Sequence, residues 1–316
     1  MRNWIVVALI LIVIGLIGMT SSFSIEGLLS GGAEQYSKEE TLDAADVKEI
    51  QFEVGSMDME IVPSSSDMIR AKISGDASKK FHDNIILKLE RDGDRVKIIA
   101  DTDEGFSIGF SVMNLDLRVE IPARKWEELM LDTGSGNMDV KDIAAEVIRV
   151  NGGSGDFTVE GIEVDQFIAE LGSGEFDLRE LKAANVEVKV NSGNTTFKQV
   201  TASKIAIEGG SGNVELIDSD AELKASISSG NITVELDEIQ HAMNLETGSG
   251  NVTIATDKKP ESARIKFNHG SGDLYNDWND TDESIDGDDT KNVTFGDGDA
   301  VVQVRTGSGN LTLEHR

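Results

Sequence analysis

Beyond about residue 47 hydrophobic and polar positions alternate with a period of two, and the alternation is itself repeated. A Ser-Gly pair recurs with its glycine at Gly136, Gly155, Gly174, Gly193, Gly212, Gly230, Gly250, Gly272 and Gly309, at spacings of 19, 19, 19, 19, 18, 20, 22 and 37. The positions two and four after each glycine, and five and seven before it, are apolar in every repeat except at Thr195 and Asn276. Around Gly174, for example, they are Phe176, Leu178, Ala169 and Phe167. Alternation of this kind means strands with one buried face, one before the glycine turn and one after it. Equivalent strands of successive repeats then stack in parallel about 4.8 Å apart, and their matching columns fill a common core. The pattern predicts an all-β chain built as a parallel β-solenoid with rungs of about 19 residues. The last spacing of 37 reads as two periods with one degenerate turn hidden inside. Glycine at the turn accepts positive φ, and the Asn or Asp that follows tolerates the left-handed region. Ladders of Ser135 through Ser308 and Asn137 through Asn310 are expected to hydrogen-bond between rungs.

Upstream, residues 47–131 are strand-like but lack the register, and predict an irregular β cap over the open end of the solenoid. Within it Ser56-Met57-Asp58-Met59-Glu60-Ile61 reads as a degenerate rung with methionine in place of the glycine. Lys88 to Ile99 reads as a hairpin turning at Arg91-Asp92-Gly93-Asp94. Leu117 to Ile121, before Pro122, leads into the repeats, which occupy 132–316 with an acidic insertion at 273–299. At the start of the chain, Trp4 to Met19 is uninterrupted apolar or glycine sequence, and Trp4 to Ile25 forms about 33 Å of helix, enough to cross a hydrocarbon core. Gly18-Met19-Thr20-Ser21-Ser22 is a poor cleavage site, so residues 1–26 are read as an uncleaved single transmembrane helix. Arg2 precedes the span and Glu26 is the first charge after it, which keeps the N-terminus cytoplasmic and turns the rest outward. Residues 27–46 read as a flexible tether.

The degenerate rung near Gly55-Ser56, the Val119-Glu120-Ile121-Pro122 passage into Leu131-Asp132-Thr133-Gly134-Ser135-Gly136-Asn137, and the repeated Gly-Ser-Gly-Asn/Asp turns carry a resemblance. The chain resembles the putative-adhesin β-strand-repeat proteins, also called toast-rack domains, including membrane-anchored LiaG-like proteins of bacterial envelope-stress operons. The resemblance covers most of residues 47–316. It implies an extracytoplasmic accessory to envelope-stress sensing or an adhesin, and it brings no catalytic residues with it.

Charge and composition narrow the chemistry. With 29 Lys plus Arg against 58 Asp plus Glu, the formal charge of −29 repels nucleic acid. Without cysteine there is no disulfide, thiolate nucleophile or Cys-ligated metal. The best metal candidate lies in the acidic insertion, where Asp282, Ser284, Asp286 and Asp288 provide oxygen ligands and begin like a calcium loop. Val293 stands where such a loop has its glutamate, and a solvated acidic loop is the competing reading. Gly152 to Asp156 superficially resembles a β-roll calcium repeat, but its register and period fail. A polysaccharide-cutting β-helix would need converging carboxylates. Asp139 and Asp177, both outward and two rungs apart, stand about 9.6 Å from each other, near the upper limit for an inverting pair. Alternating acid and threonine along that column more simply avoids like-charge stacking.

The remaining candidates are weaker. His82, His241, His269 and His315 show no metal-ligand spacing, and Trp126 and Trp278 read as a cap anchor and a loop anchor rather than sugar platforms. The glycan-acceptor matches at Asn194, Asn231, Asn251, Asn279, Asn292 and Asn310 mostly follow from the repeat itself. The outward threonines resemble an ice-binding face, but acids interrupt them. The sequence therefore predicts a non-catalytic, membrane-anchored extracytoplasmic interaction module without a cofactor, meeting an envelope protein or cell-wall polymer. The alternatives are a calcium-stabilised adhesive module and a polysaccharide-processing enzyme.

Overall fold

The structure, a computed structural model, describes residues 33–102, 113–278, 282–285 and 290–316. Two long sheets of 13 and 14 strands face each other across one core. Each repeat contributes a long strand to one sheet, such as Ala144–Ser154, and a short strand to the other, such as Phe157–Glu160. Successive rungs pair in parallel and in register: Ile148 lies between Leu129 and Phe167, and Phe157 between Met138 and Phe176. Every residue of the four apolar columns is buried except Leu274 and Asn276, which belong to the last short strand at the sheet edge. Thr195, one of the two polar exceptions, is buried with its column.

Two corners close each rung. At the Ser-Gly corner Gly155 has φ 130° and Gly174 has φ 125°, and a Cβ on either would lie on the carbonyl oxygen of the glycine one rung below. Conformation and crowding therefore both require glycine. The opposite corner has its own 19-residue period. Asp142, Gly161, Glu180, Gln199 and Asp218 are all left-handed, with φ of 54, 68, 51, 56 and 50°. Each of the first four is followed by a buried apolar residue (Ile143, Ile162, Leu181, Val200) that seals that edge of the core.

At the N-terminal end the degenerate rung is a true one. Glu49–Val54 pairs in parallel with Lys125–Ser135, Asp58–Ser64 pairs with Met138–Lys141, and the Met57 carbonyl takes the place beneath Gly136 that a glycine takes elsewhere. Ile85–Asp92 and Arg95–Thr102 form the expected hairpin, with Gly93 at φ 64° in its turn. The expected tether differs: Ala33–Asp43 is a strand, antiparallel to Met68–Ser78 along its whole length. Only Tyr36 and Leu42 of this strand pack against the core, so its hydrophobic pattern is faint, and pairing with a free sheet edge orders it. The transmembrane helix expected over residues 1–26 lies outside the described residues; among those described, no helix is long and apolar enough to cross a membrane.

At the C-terminal end the rungs do not follow chain order. Ala300–Ser308 and Leu311–His315, the last rung in sequence, lie between the Met243–Thr256 rung and the Ala263–Asn276 rung. The hidden degenerate rung expected within the spacing of 37 is absent among the described residues. Instead Thr290–Phe295 runs antiparallel along the outer side of Ala263–Ser271, and Asp282–Ile285 pairs with it in turn. Insertion is possible because every rung carries the same columns. Val302 and Val304 match Met243 and Leu245 on one side and Ile265 and Phe267 on the other. Trp278 plugs this end: it is buried, donates Nε1–H to the Glu314 carbonyl at 2.8 Å, and meets Phe295 edge-on.

Candidate interaction surface

Along the Ser-Gly corner the solenoid presents a narrow face of small polar groups at the rung spacing. With the exception of Glu175, the residue after the glycine accepts, through its side-chain oxygen, the backbone N–H of its counterpart one rung on. Asp156 donates to Asn137 Oδ1 and Glu175 to Asp156 Oδ1, each at 2.9 Å. Asn213 donates to Asn194 and Asn231 to Asn213 at 3.0 Å, and Asn251 to Asn231 at 2.9 Å. The ladder continues through the inserted rung, from Asn310 to Asn251 Oδ1 and from Asp273 to Asn310 Oδ1. It also reaches back to the degenerate rung, where Asn137 N–H donates to Asp58 Oδ1 at 2.8 Å. The bond is thus mainly side chain to backbone, which explains why Asn and Asp alternate freely: both hold an oxygen at the same place. Glu175, one methylene longer, makes no such bond to Asn194.

Beside this face, on the long-strand sheet, runs a shallow groove. Its floor is backbone at Gly134, Gly153 and Gly172, where a Cβ on Gly153 or Gly172 would overlap the carbonyl of the glycine one rung below. Along its acidic wall Asn151 donates to Asp132 at 2.7 Å, and Lys189 lies 3.1 Å from Glu187 and 3.8 Å from Glu170. Hydrogen bonding to Glu187, followed by its charge, holds the Lys189 ammonium pKa above the ordinary lysine value. From Asp132 to Glu208 each acid of the column stands beside Asn151 or Lys189, which spares that part of the stack like-charge neighbours, whereas Glu53 and Asp132 at its start place acid opposite acid.

On the outer face of the short-strand sheet, Asp139 and Asp177 stand on alternate rungs with Thr158 between them. Each carboxylate is occupied by a base two residues on: Asp139 by Lys141 at 2.5 Å, and Asp177 by Arg179 at 2.7 Å. The hydrogen bond to Asp139 is the largest influence raising the Lys141 pKa, against a smaller opposing effect of burial. The pair is spaced as its sequence predicts, but its acids are tied to neighbours rather than aimed at a common point. Further along, rung insertion makes the threonine column continuous: Thr233, Thr253 and Thr312 are successive neighbours and lead to Tyr275, which is 53% exposed.

Of the calcium-loop candidates, Asp282 and Ser284 lie in the strand paired with Thr290–Phe295, opposite Thr294 and Asn292. Asp286 and Asp288 lie outside the described residues. Three of the four histidines are in separate surroundings: His82 against Tyr36, His241 on Asp220, and His269 against Phe267. Trp126 is buried beneath the Arg124 guanidinium, which donates to the Ala44 and Val47 carbonyls and pins the cap. Neither it nor the buried Trp278 offers a face to a sugar. The left-handed corner and the glycine floor were not anticipated. Their signals were present as a polar residue or glycine six after each of the first five glycines, and as a glycine two before seven of the nine.

Against family descriptions, residues 47–314 match the one described as Toastrack DUF4097. Among solved structures, the chain is similar to a protein from Parabacteroides merdae described as a putative adhesin, with a TM-score of 0.46 and 12% identity over 89% of this chain and 96% of that one. A similarly described protein from Parabacteroides distasonis gives a TM-score of 0.45 at 12% identity, covering 89% and 97%. Another from Parabacteroides distasonis, described as a putative lipid binding protein, gives 0.40 at 16% identity, covering 87% and 96%. No curated protein matches.

Proposed function

On the premise that the chain belongs to the Toastrack DUF4097 family, matched over residues 47–314, we propose that it is a non-catalytic interaction module held at the outer side of a cell membrane. Its N-terminal apolar segment is the anchor, and its repeats meet an envelope protein or cell-wall polymer as an adhesin or an accessory to envelope-stress sensing. The observation that carries this reading is the Ser-Gly corner face, where the same small polar groups recur rung after rung beside a groove with a backbone floor. Such a surface suits an extended partner that also repeats, and the carboxylates nearest to an enzyme-like arrangement are already ion-paired. The anchor reading rests on the apolar run Trp4 to Ile25 and on Arg2 preceding it.

Co-sedimentation of the detergent-solubilised chain with purified cell-wall sacculi and with membrane-stripped envelope protein tests the proposal. Saturable retention by one of them, with no sugar released into the supernatant, is the expected result. Release of reducing ends would make the protein an enzyme, and failure to sediment with either would remove the interaction reading.

A further inference from the structure

The last rung in sequence is not the last rung in space, and this creates a slot. Chain order delivers Ala263–Asn276 before Ala300–His315, yet the later segment separates the earlier one from Met243–Thr256. Each side of the slot is a complete set of parallel edges. Ser249 and Ser271 both face Ser308, and Val252 and Leu274 both face Leu311. The inserted segment enters from Phe295 by way of Gly296 to Asp299, which hop over the start of the neighbouring strand. Gly296 at φ 52° and Gly298 at φ 74° make the turn, Gly298 N–H donates to the Phe295 carbonyl, and Asp299 is hydrogen-bonded both ways with Ser262. The hop lies at the outer corner of the stack and spans two strand spacings with four residues. Tight hinges of this kind favour exchange of the element they carry.

Beyond the hinge the segment makes its contacts through columns that any identical slot supplies. Arg316 ion-pairs with Asp218, and with Glu235 at 3.3 Å, and its N–H donates to the Thr256 carbonyl at 3.1 Å. On the other side Trp278 donates to the Glu314 carbonyl. We propose that the C-terminal rung is an exchangeable element through which two copies of this chain pair, each filling the slot of the other. All these contacts are remade in the exchanged dimer. Only the hinge differs, relaxing from a hop within one chain to a bridge between two, and closed and exchanged forms therefore interconvert on unfolding and refolding.

The test uses two versions of the full cysteine-free chain in detergent micelles, one with Thr253→Cys and one with Thr312→Cys, distinguished by mass. Thr253 and Thr312 are direct cross-strand neighbours on the outer face. Refolded together at high concentration and then oxidised, the two versions should give a covalent heterodimer, approaching about half of all dimers for random exchange. Folded separately and then mixed, they should give none above the background of each version alone. Equal heterodimer in both preparations, or none in either, would overturn the proposal. A second variant guards against a cysteine that disturbs folding. Deleting Gly296, Asp297 and Gly298 leaves two Cα steps, at most about 7.6 Å against a hop of about 9.6 Å, so light scattering should show dimer only, whereas a folded monomer of that variant would also overturn it.

Discussion

Replacing Phe176 by alanine probes the stack where it is most tightly filled. Phe176 is 1% exposed, lies 6.2 Å from Phe167 across the core at an interplanar angle of 21°, and meets Phe197 of the next rung edge-on at 6.2 Å. Truncating a buried phenylalanine costs about 3–5 kcal/mol from lost transfer energy and the cavity left behind. Aromatic pairs are worth about 0.5–1.5 kcal/mol beyond area, and the loss of two such contacts places this site toward the upper end. Its neighbours are strands held in register on both sides, which limits collapse into the gap. For about 270 folded residues, unfolding entropy near 2.1 cal/mol/K per residue converts about 4 kcal/mol into a melting shift of roughly 7 °C. The assay is thermal melting by circular dichroism, with Asp177→Ala as the control. Asp177 is the next residue but points outward to Arg179, and its loss should cost about 1 kcal/mol or less. A Phe176→Ala shift no larger than that of Asp177→Ala would refute the assignment of inward and outward columns.

Further outcomes follow from the same geometry. Glu175→Asn places a side-chain oxygen beneath Asn194 and completes the ladder, so it should stabilise by about 0.5–1.5 kcal/mol in denaturant titration; no gain would mean that the break at Glu175 has another cause. Gly193→Ala, at φ 140° with its Cβ directed onto the Gly174 carbonyl, should destabilise by at least about 2 kcal/mol in the same titration. Because Lys141 has a raised pKa in the fold, its pairing contributes fully below the ordinary lysine value of 10.5 and fades as pH rises through the folded value. NMR titration of Asp139→Asn should therefore show Lys141 titrating at lower pH than in the parent chain. Calcium titration calorimetry should give no saturable heat, with or without Asp282→Asn and Asp286→Asn; saturable heat abolished by the two substitutions would instead establish the calcium-stabilised module.

The core was legible because burial on a pleated strand imposes a period of two, which Phe176 and Leu178 carry openly. The Ser-Gly corner was legible because positive φ and crowding both demand glycine. The opposite corner was harder to see: Asp142, Glu180 and Gln199 accept the left-handed region as mixed polar residues, and no single residue type marks it. The order of the last rungs was hidden for a physical reason. Identical columns make rungs interchangeable, so nothing in Val302 or Val304 says which strand lies beside it. Ala33–Asp43 was hidden by its weak apolar pattern, since an edge strand is held mainly by backbone pairing with Met68–Ser78. Legibility stops sooner at the surface. The ladder bonds could be anticipated from the Asn and Asp column, but a face of small polar groups records the rung spacing and not the identity of what it meets.

The most direct test of the stacked-rung architecture is an intrachain cross-link. Thr253 and Thr312 are paired neighbours, about 4.8 Å apart across parallel strands, within disulfide reach, whereas Tyr275 lies one rung further, about 9.6 Å from Thr253. In dilute, oxidised monomer, Thr253→Cys with Thr312→Cys should form a disulfide, and Thr253→Cys with Tyr275→Cys should not. The reverse result would place the rungs in chain order and contradict the account.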